Sequence, residues 1–333
     1  MEYRALGRTG LQVSRLGFGC GNVGGLMIRG THQDRARVVS RAMEAGINYF
    51  DTAPFYGNGQ SEQNLGEVLR ELRANVYVGT KVRVTAQELG DLRGAMTRSV
   101  ETSLHRMGRE SVDLIQLHNR ITRQRQGEDP SLTVQDVLGE VVEAFRELQS
   151  QGKVRYYGIT ALGDTAALHE VIDSGSFYTA QVCYNLLNPS AGQPVSAGFP
   201  SQDFGRLIDH ARARDMGCIG IRVLAAGALS GVETRHPVAV PSVAPIGTGP
   251  DYRSDVQLAQ TLGFLTQEGY AADLIEAAIR FAWSQAGIST VLVGYSSLDH
   301  LDQALAAVER GSLPPAAMAR LAQAWQAFAE QRF

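Results

Sequence analysis

The chain of 333 residues carries 31 basic and 34 acidic side chains, a formal net charge of −3. So even a balance gives no electrostatic footprint for nucleic acid or an anionic membrane, and 44% hydrophobic content with 20% charged residues excludes a disordered or fibrous chain. Cys20, Cys183 and Cys218 lack C-x-x-C spacing, residues 1–10 lack a secretory segment, and no apolar run reaches the ~18 residues of a spanning helix, so a cytoplasmic protein is expected, held by its own core. Only two of the basic residues are lysines, Lys81 and Lys153, which makes each worth locating.

In chain order, 3–6 and 11–13 flank Gly-Arg-Thr-Gly and read as a short hairpin. Runs rich in β-branched residues then recur at 14–19, 47–51, 76–80, 112–118, 155–160, 179–184, 218–223 and 290–294. Amphipathic stretches alternate with them at 33–45, 62–73, 92–107, 134–151, 164–172, 204–214 and 271–286. Strict alternation implies parallel strands joined by right-handed crossovers, and this many units fit an α/β fold of the (β/α)8 TIM-barrel type, one domain over 1–333. After the seventh strand, 230–269 contains Pro237, Pro241, Pro245 and Pro250 and reads as a long loop with one helix near 256–265. Such a loop lies at the C-terminal face of a barrel, where active sites are built. Residues 313–331 read as a closing helix.

Gly19, Gly21 and Gly24 match G-x-G-x-x-G after the first barrel strand, and Asp51 ends the second, as a ribose-binding acid would in a Rossmann fold. That motif requires a helix opening at its third glycine, so that the helix N-terminus faces pyrophosphate. Here Gly25 follows Gly24 and helical periodicity begins only near 31–33, so the segment is read as a Gly-rich turn. Its residues Cys20 and Gly21 still let the backbone approach a cofactor.

Asp51, Lys81 and His118 stand at the ends of the second, third and fourth barrel strands, with Tyr56 five residues beyond Asp51. In a parallel barrel these ends share one rim, so the four side chains converge. Around them the sequence resembles the aldo-keto reductase family. Gly46-Ile-Asn-Tyr-Phe-Asp51-Thr-Ala-Pro-Phe-Tyr56-Gly-Asn-Gly-Gln-Ser61-Glu62 is similar to that family's signature, Val78-Gly-Thr-Lys81 to its lysine segment and Val112-Asp-Leu-Ile-Gln-Leu-His118 to its histidine segment. Gly152-Lys-Val-Arg-Tyr-Tyr-Gly158 and Thr290-Val-Leu-Val-Gly294 resemble its fifth- and eighth-strand segments.

The resemblance implies an NAD(P)-dependent oxidoreductase interconverting a carbonyl (aldehyde, ketone or sugar lactol and lactone) and an alcohol, with catalytic Asp51, Tyr56, Lys81 and His118. Carbonyl reduction places alkoxide character on oxygen and needs a positioned proton donor. A free phenol of pKa ~10 is a sluggish acid, and a nearby ammonium favours its ionised form. Lys81 supplies that ammonium, Asp51 holds it, Tyr56 is the general acid or base, and His118 orients the substrate oxygen. Phe55 joins Tyr56 and His118 in the expected substrate pocket.

The cofactor implied is an extended nicotinamide dinucleotide, NADP(H) by default and NAD(H) as the alternative, lying across the strand ends. Gln181 and Thr160 match carboxamide contacts, while the usual asparagine after Thr160 is Ala161. At the seventh strand an aromatic is replaced by Ile221, followed by Arg222, Leu224 and Gly227. Arg222 is expected to touch the cofactor or to pair with a rim carboxylate. Gly294, Ser296, Ser297 and His300 form the adenosine end. His105, His169, His210 and His236 are scattered, and no metal set is expected. A small-molecule carbonyl or alcohol is the expected partner, with no nucleic acid or membrane, and nothing in the sequence specifies an oligomer. A second reading is a nicotinamide-binding regulatory barrel with weak or vestigial reductase activity. A barrel hydrolase using Asp51 lacks a second carboxylate at neighbouring strand ends.

Overall fold

In the computed structural model, which describes residues 1–125 and 130–330, eight parallel strands close into a barrel. A hairpin of β1 (Tyr3–Ala5) and β2 (Gln12–Ser14) precedes it, pairing Tyr3 with Ser14 and Ala5 with Gln12. The barrel strands are β3 (Leu16–Gly19), β4 (Tyr49–Asp51), β5 (Tyr77–Val82), β6 (Val112–Leu117), β9 (Val154–Thr160), β10 (Thr179–Cys183), β11 (Gly217–Ile221) and β12 (Ile288–Gly294), in that spatial order, with β12 returning to pair with β3. Between β6 and β9, a small parallel pair joins β7 (Ile121–Thr122) to β8 (Leu132–Thr133); its two-residue strands are too short to show a period in sequence.

Each barrel strand coincides with a sequence-predicted run. Helices cover the outer face, so strands such as β6 are buried throughout, its Asp113 and Gln116 included. The helices are α1 (Leu26–Arg29), α2 (His32–Glu44), α3 (Gln60–Glu71), α4 (Leu92–Met107), α5 (Val134–Asp136), α6 (Val142–Ser150), α7 (Thr165–Asp173), α8 (Leu207–Ala213), α9 (Tyr252–Gln260), α10 (Phe264–Gln267), α11 (Leu274–Ser284), α12 (Leu298–Glu309) and α13 (Pro315–Glu330). Thr31, Asp91, Asp273 and Ser297 start α2, α4, α11 and α12 by accepting a backbone N–H with their side-chain oxygens.

The differences from expectation have local causes. The helix expected over 134–151 is divided by a π-helical turn at Val137–Val141, where Gly139 leaves helical φ/ψ. The helix expected from 204 begins at Leu207, because Gly205 and Arg206 are left-handed at φ +59° and +57°. In the long loop, Asp251 caps α9 and moves the helix ahead of the expected 256–265. The short α1 follows Gly25 directly, where only a turn was expected. Gln331, the last residue of the expected closing helix, lies outside the described residues.

The hairpin plugs the N-terminal end of the barrel. Leu6, Leu11 and Val13 pack inside it against Tyr49, Leu114, Ile219 and Leu292. Arg15 lies 3.8 Å over the Trp283 ring and bonds Glu2 at 2.9 Å, fixing the hairpin to α11. One layer higher, Gly79 has no side chain because Tyr49 fills its place: a Cβ there would stand 2.5 Å from the Tyr49 hydroxyl. Strand alternation then points Asp51, Lys81 and Gln181 inward at the C-terminal end. Among the described residues no helix is long and apolar enough to cross a membrane.

Candidate active site

The end of β4 supplies Asp51, the loop after it Tyr56, the end of β5 Lys81, and the residue after β6 His118. The structure brings all four together. Lys81 is buried and its three N–H groups meet three acceptors: the Asp51 carboxylate, the Thr52 carbonyl at 2.9 Å and the Tyr56 hydroxyl at 3.2 Å. Its ammonium also lies 4.8 Å from the centre of the Tyr56 ring. Burial works against the charge, but Asp51 and Tyr56 outweigh it and raise the Lys81 pKa above the ordinary lysine value.

Asp51 is fixed from two further sides. Gln181 donates to Oδ2 at 2.7 Å and Tyr49 donates at 3.3 Å, while Thr160 donates to the Gln181 carbonyl oxygen at 3.2 Å. Gln181, expected to contact a cofactor, thus spends a bond on the carboxylate that holds Lys81, and Thr160, expected to do the same, spends one on Gln181. The Ser61 and Glu62 of the signature act one step further out. The Ser61 hydroxyl stands 2.8 Å from both the Thr52 hydroxyl and the Cys20 carbonyl. Glu62, wholly buried, accepts from Thr80, the residue before Lys81, at 2.5 Å and from Arg106 at 2.6 Å.

His118 is half-buried, its ring 6.4 Å from Tyr56 edge-on and 6.2 Å from Phe55. Burial, followed by the charges of Lys81, Arg83 and Arg222, pushes its pKa down to about 3, so the imidazole is neutral near pH 7. Its Nδ1 is buried with no hydrogen-bond partner among the described residues. Phe55 is exposed and carries Arg83 over its ring at 5.4 Å; the two line a cavity of about 310 Å³ with Val84, Thr85 and Pro130.

The expected cofactor residues follow the same rim. The Cys20 side chain is buried and its backbone groups are already bonded to Asp51 and Ser61, whereas Gly21 faces the site: a Cβ there would touch the Tyr56 ring at 3.4 Å. Ile221 and Leu224 are half-buried at the end of β11, and Gly227 is left-handed at φ +106°. Arg222 makes no ion pair with a rim carboxylate among the described residues, against the expectation that left this pairing open; its guanidinium donates to the Ala244 carbonyl at 3.2 Å. Gly294 is exposed and paired with Gly19. Ser296 donates to the Gly24 carbonyl at 2.6 Å, and Ser297 caps α12.

His236 and Arg235, which carried no functional signal in sequence, are brought in by the long loop. The His236 ring meets His300 at 5.4 Å, at the start of α12. Arg235 donates to the carbonyls of Val240, Ala226 and Val23, tying the loop across the Gly-rich turn. Partners so far apart in the chain leave no spacing to read.

Residues 15–326 match the model of the Aldo/keto reductase family. The chain belongs to the aldo/keto reductase family. As in that family, its chemistry is nicotinamide-dependent oxidoreduction. The aldo/keto reductase chain is 28% identical over 316 residues to L-galactose dehydrogenase of Arabidopsis thaliana, covering 92% of this chain and 88% of that protein. The holo form of aldo-keto reductase AKR11C1 from Bacillus halodurans superposes with a TM-score of 0.70 at 25% identity, over 98% of this chain and 96% of that one. An aldo-keto reductase from Klebsiella pneumoniae in complex with NADPH shares the fold with a TM-score of 0.68 at 19% identity, over 98% and 95% of the two chains.

Proposed function

We propose that this aldo/keto reductase interconverts a carbonyl and an alcohol with Tyr56 as the proton donor in reduction and the base in oxidation. The observation that carries this reading is the buried ammonium of Lys81, which donates to the Tyr56 hydroxyl at 3.2 Å while paired with Asp51. A hydrogen bond donated to the phenol oxygen stabilises the negative charge left when Tyr56 gives up its proton. Asp51, clamped by Gln181 and Tyr49, keeps the ammonium from moving away. Neutral His118 has one N–H to offer the substrate oxygen, orienting it toward Tyr56.

The residues along the rim fit an extended dinucleotide, which when bound supplies or accepts the hydride. Gly21 bares the backbone beside Tyr56 and Gly294 bares the end of β12, so flat and chain-like groups can lie against both. Gly21, Thr160, Gln181, Ile221, Leu224 and Gly227 would hold its nicotinamide half and phosphates, with Gly294, Ser296, Ser297 and His300 at the adenosine. NADP(H) is the default and NAD(H) the alternative: Ser296 spends its proton on the Gly24 carbonyl, whereas Ser297 accepts from the His300 backbone N–H and keeps its own O–H, which leaves that hydroxyl and the imidazoles of His300 and His236 to meet a 2′-phosphate. The Arabidopsis relative, a dehydrogenase of L-galactose by name, supports including sugar lactols among the substrates tried.

The test is Tyr56→Phe, which removes only the hydroxyl. Turnover should fall by at least ~10²–10⁴-fold, the usual worth of a general acid, while cofactor affinity, read by fluorescence titration, stays within about twofold. Full activity in the variant would overturn the assignment of Tyr56.

A further inference from the structure

Arg222 is held in an unusual way for a residue with no ionic partner among the described residues. It follows β11 in the left-handed region at φ +56°, a conformation that costs an L-residue of order 1 kcal/mol or more. Its carbonyl is pinned by Asn185 at 3.0 Å and by the Ala225 N–H at 2.8 Å, so the backbone, and with it the direction of the side chain, is set. Among the described residues the half-buried guanidinium then makes one hydrogen bond, to the Ala244 carbonyl.

Several other sheltered arginines are matched, although half-buried Arg35 and Arg109 also make one side-chain hydrogen bond each and no ion pair among the described residues. Arg15 pairs with Glu2, Arg106 with Glu62 and Arg280 with Glu276, and Arg235 spends its donors on three carbonyls. The acid whose charge reaches Arg222, Asp255 on α9, is buried and already accepts from Thr248 at 2.6 Å and from the Gly249 N–H at 2.7 Å. In the other direction the guanidinium's charge is felt at His118. A sheltered cation lacking a counter-ion is costly, and an arriving anion relieves that cost.

We propose that Arg222 is the receptor for a carboxylate on the carbonyl substrate, so that oxo-acids are preferred over neutral aldehydes and ketones of the same shape. The inference rests on the reading of Tyr56 and His118 as the place where the carbonyl is bound. Guanidinium and carboxylate match as two parallel N–H to O bonds, which neutral esters and alcohols cannot reproduce. A phosphate of the dinucleotide offers the same chemistry from another source.

Two ligands of one shape separate these sources: 4-carboxybenzaldehyde and its methyl ester. Their dissociation constants are measured by equilibrium binding to the protein saturated with oxidised cofactor, where no hydride is available and affinity is read without turnover. The acid should bind the wild type about tenfold or more tighter than the ester, as a charge-assisted bond implies. In Arg222→Gln that ratio should fall to near one, and in Arg222→Lys a part of it should remain. Cofactor affinity, titrated separately, should change by less than about twofold. Loss of cofactor affinity with the acid-to-ester ratio intact would assign Arg222 to the dinucleotide and overturn the proposal, as would equal binding of acid and ester by the wild type. Turnover of the same aldehydes with reduced cofactor tests the reaction itself. A preference for the acid without turnover would sink the catalytic reading and leave the receptor standing, and turnover without preference would do the reverse.

Discussion

Lys81 shows how far one residue type can be dictated by its surroundings. An ammonium has three N–H groups, and here each has one acceptor, the Asp51 carboxylate, the Thr52 carbonyl and the Tyr56 hydroxyl. A guanidinium in the same space would carry five donors and a planar fork, leaving donors buried and unmet. The pair is buried on both sides, so removing one partner costs more than the pair is worth. Asp51→Asn should therefore destabilise the fold by about 3–5 kcal/mol in denaturant titration at pH 7. Adding Lys81→Met to that variant should restore part of the loss, and strictly additive losses would show that the two side chains do not depend on each other. At this scale Asp51, Tyr56, Lys81 and His118 were legible because each is a polar residue at or just beyond a strand end. Tyr49, Thr160 and Gln181 were harder to place: their bonds to the cluster run inward through the barrel, and their residue types suit an ordinary strand equally well.

Among the elements, the strands were readable and the loops were not. A strand covered on both faces is marked by its own β-branched run, whatever the rest of the chain does. Helix limits moved by a few residues wherever a local device, Gly139, Arg206 or the Asp273 cap, overrode periodicity. The fold of the long loop depends instead on carbonyls, which every residue owns and no sequence advertises. Arg235 bonds Val23, while Arg29 bonds Val238 at 2.6 Å and Asn22 at 2.9 Å, so loop and Gly-rich turn are clasped from both sides. Arg235→Gln should open the clasp on one side. Limited proteolysis should then cut within 232–250 at least severalfold faster than in the wild type, because local opening exposes backbone to the protease. An unchanged cutting rate would mean that Arg29 and the Val240 N–H to Asn22 bond hold the loop unaided.

For the molecule as a whole, barrel closure puts a neutral imidazole under the rim and so couples folding to pH. In the unfolded chain His118 takes up a proton near pH ~6.5, whereas in the folded protein burial delays this to about 3. Between those values the unfolded state binds more protons, so His118 makes stability fall as pH drops from about 6.5 toward 3 and contributes no slope above that window. Unfolding titrations at pH 7 and pH 5 should show a smaller acid loss in His118→Gln than in the wild type, and equal losses would place the acid sensitivity elsewhere. The closed barrel itself followed from counting alternating units, but its lower plug did not. The hairpin was visible as a turn between two short runs, yet nothing in Leu6 or Val13 says that they enter the barrel to meet Leu114 and Leu292.

The scarcity of lysine has a practical side. Of the two side-chain amines, Lys153 is half-buried beside Glu101 at 2.6 Å, and Lys81 is sealed within the barrel. A folded molecule therefore presents a single lysine to an acylating reagent and an opened one presents two. Acylation of Lys81 relative to Lys153, read by peptide mapping so that the exposed terminal amine is kept apart, counts barrel opening directly, and a support coupled through Lys153, which precedes β9, would leave the rim clear.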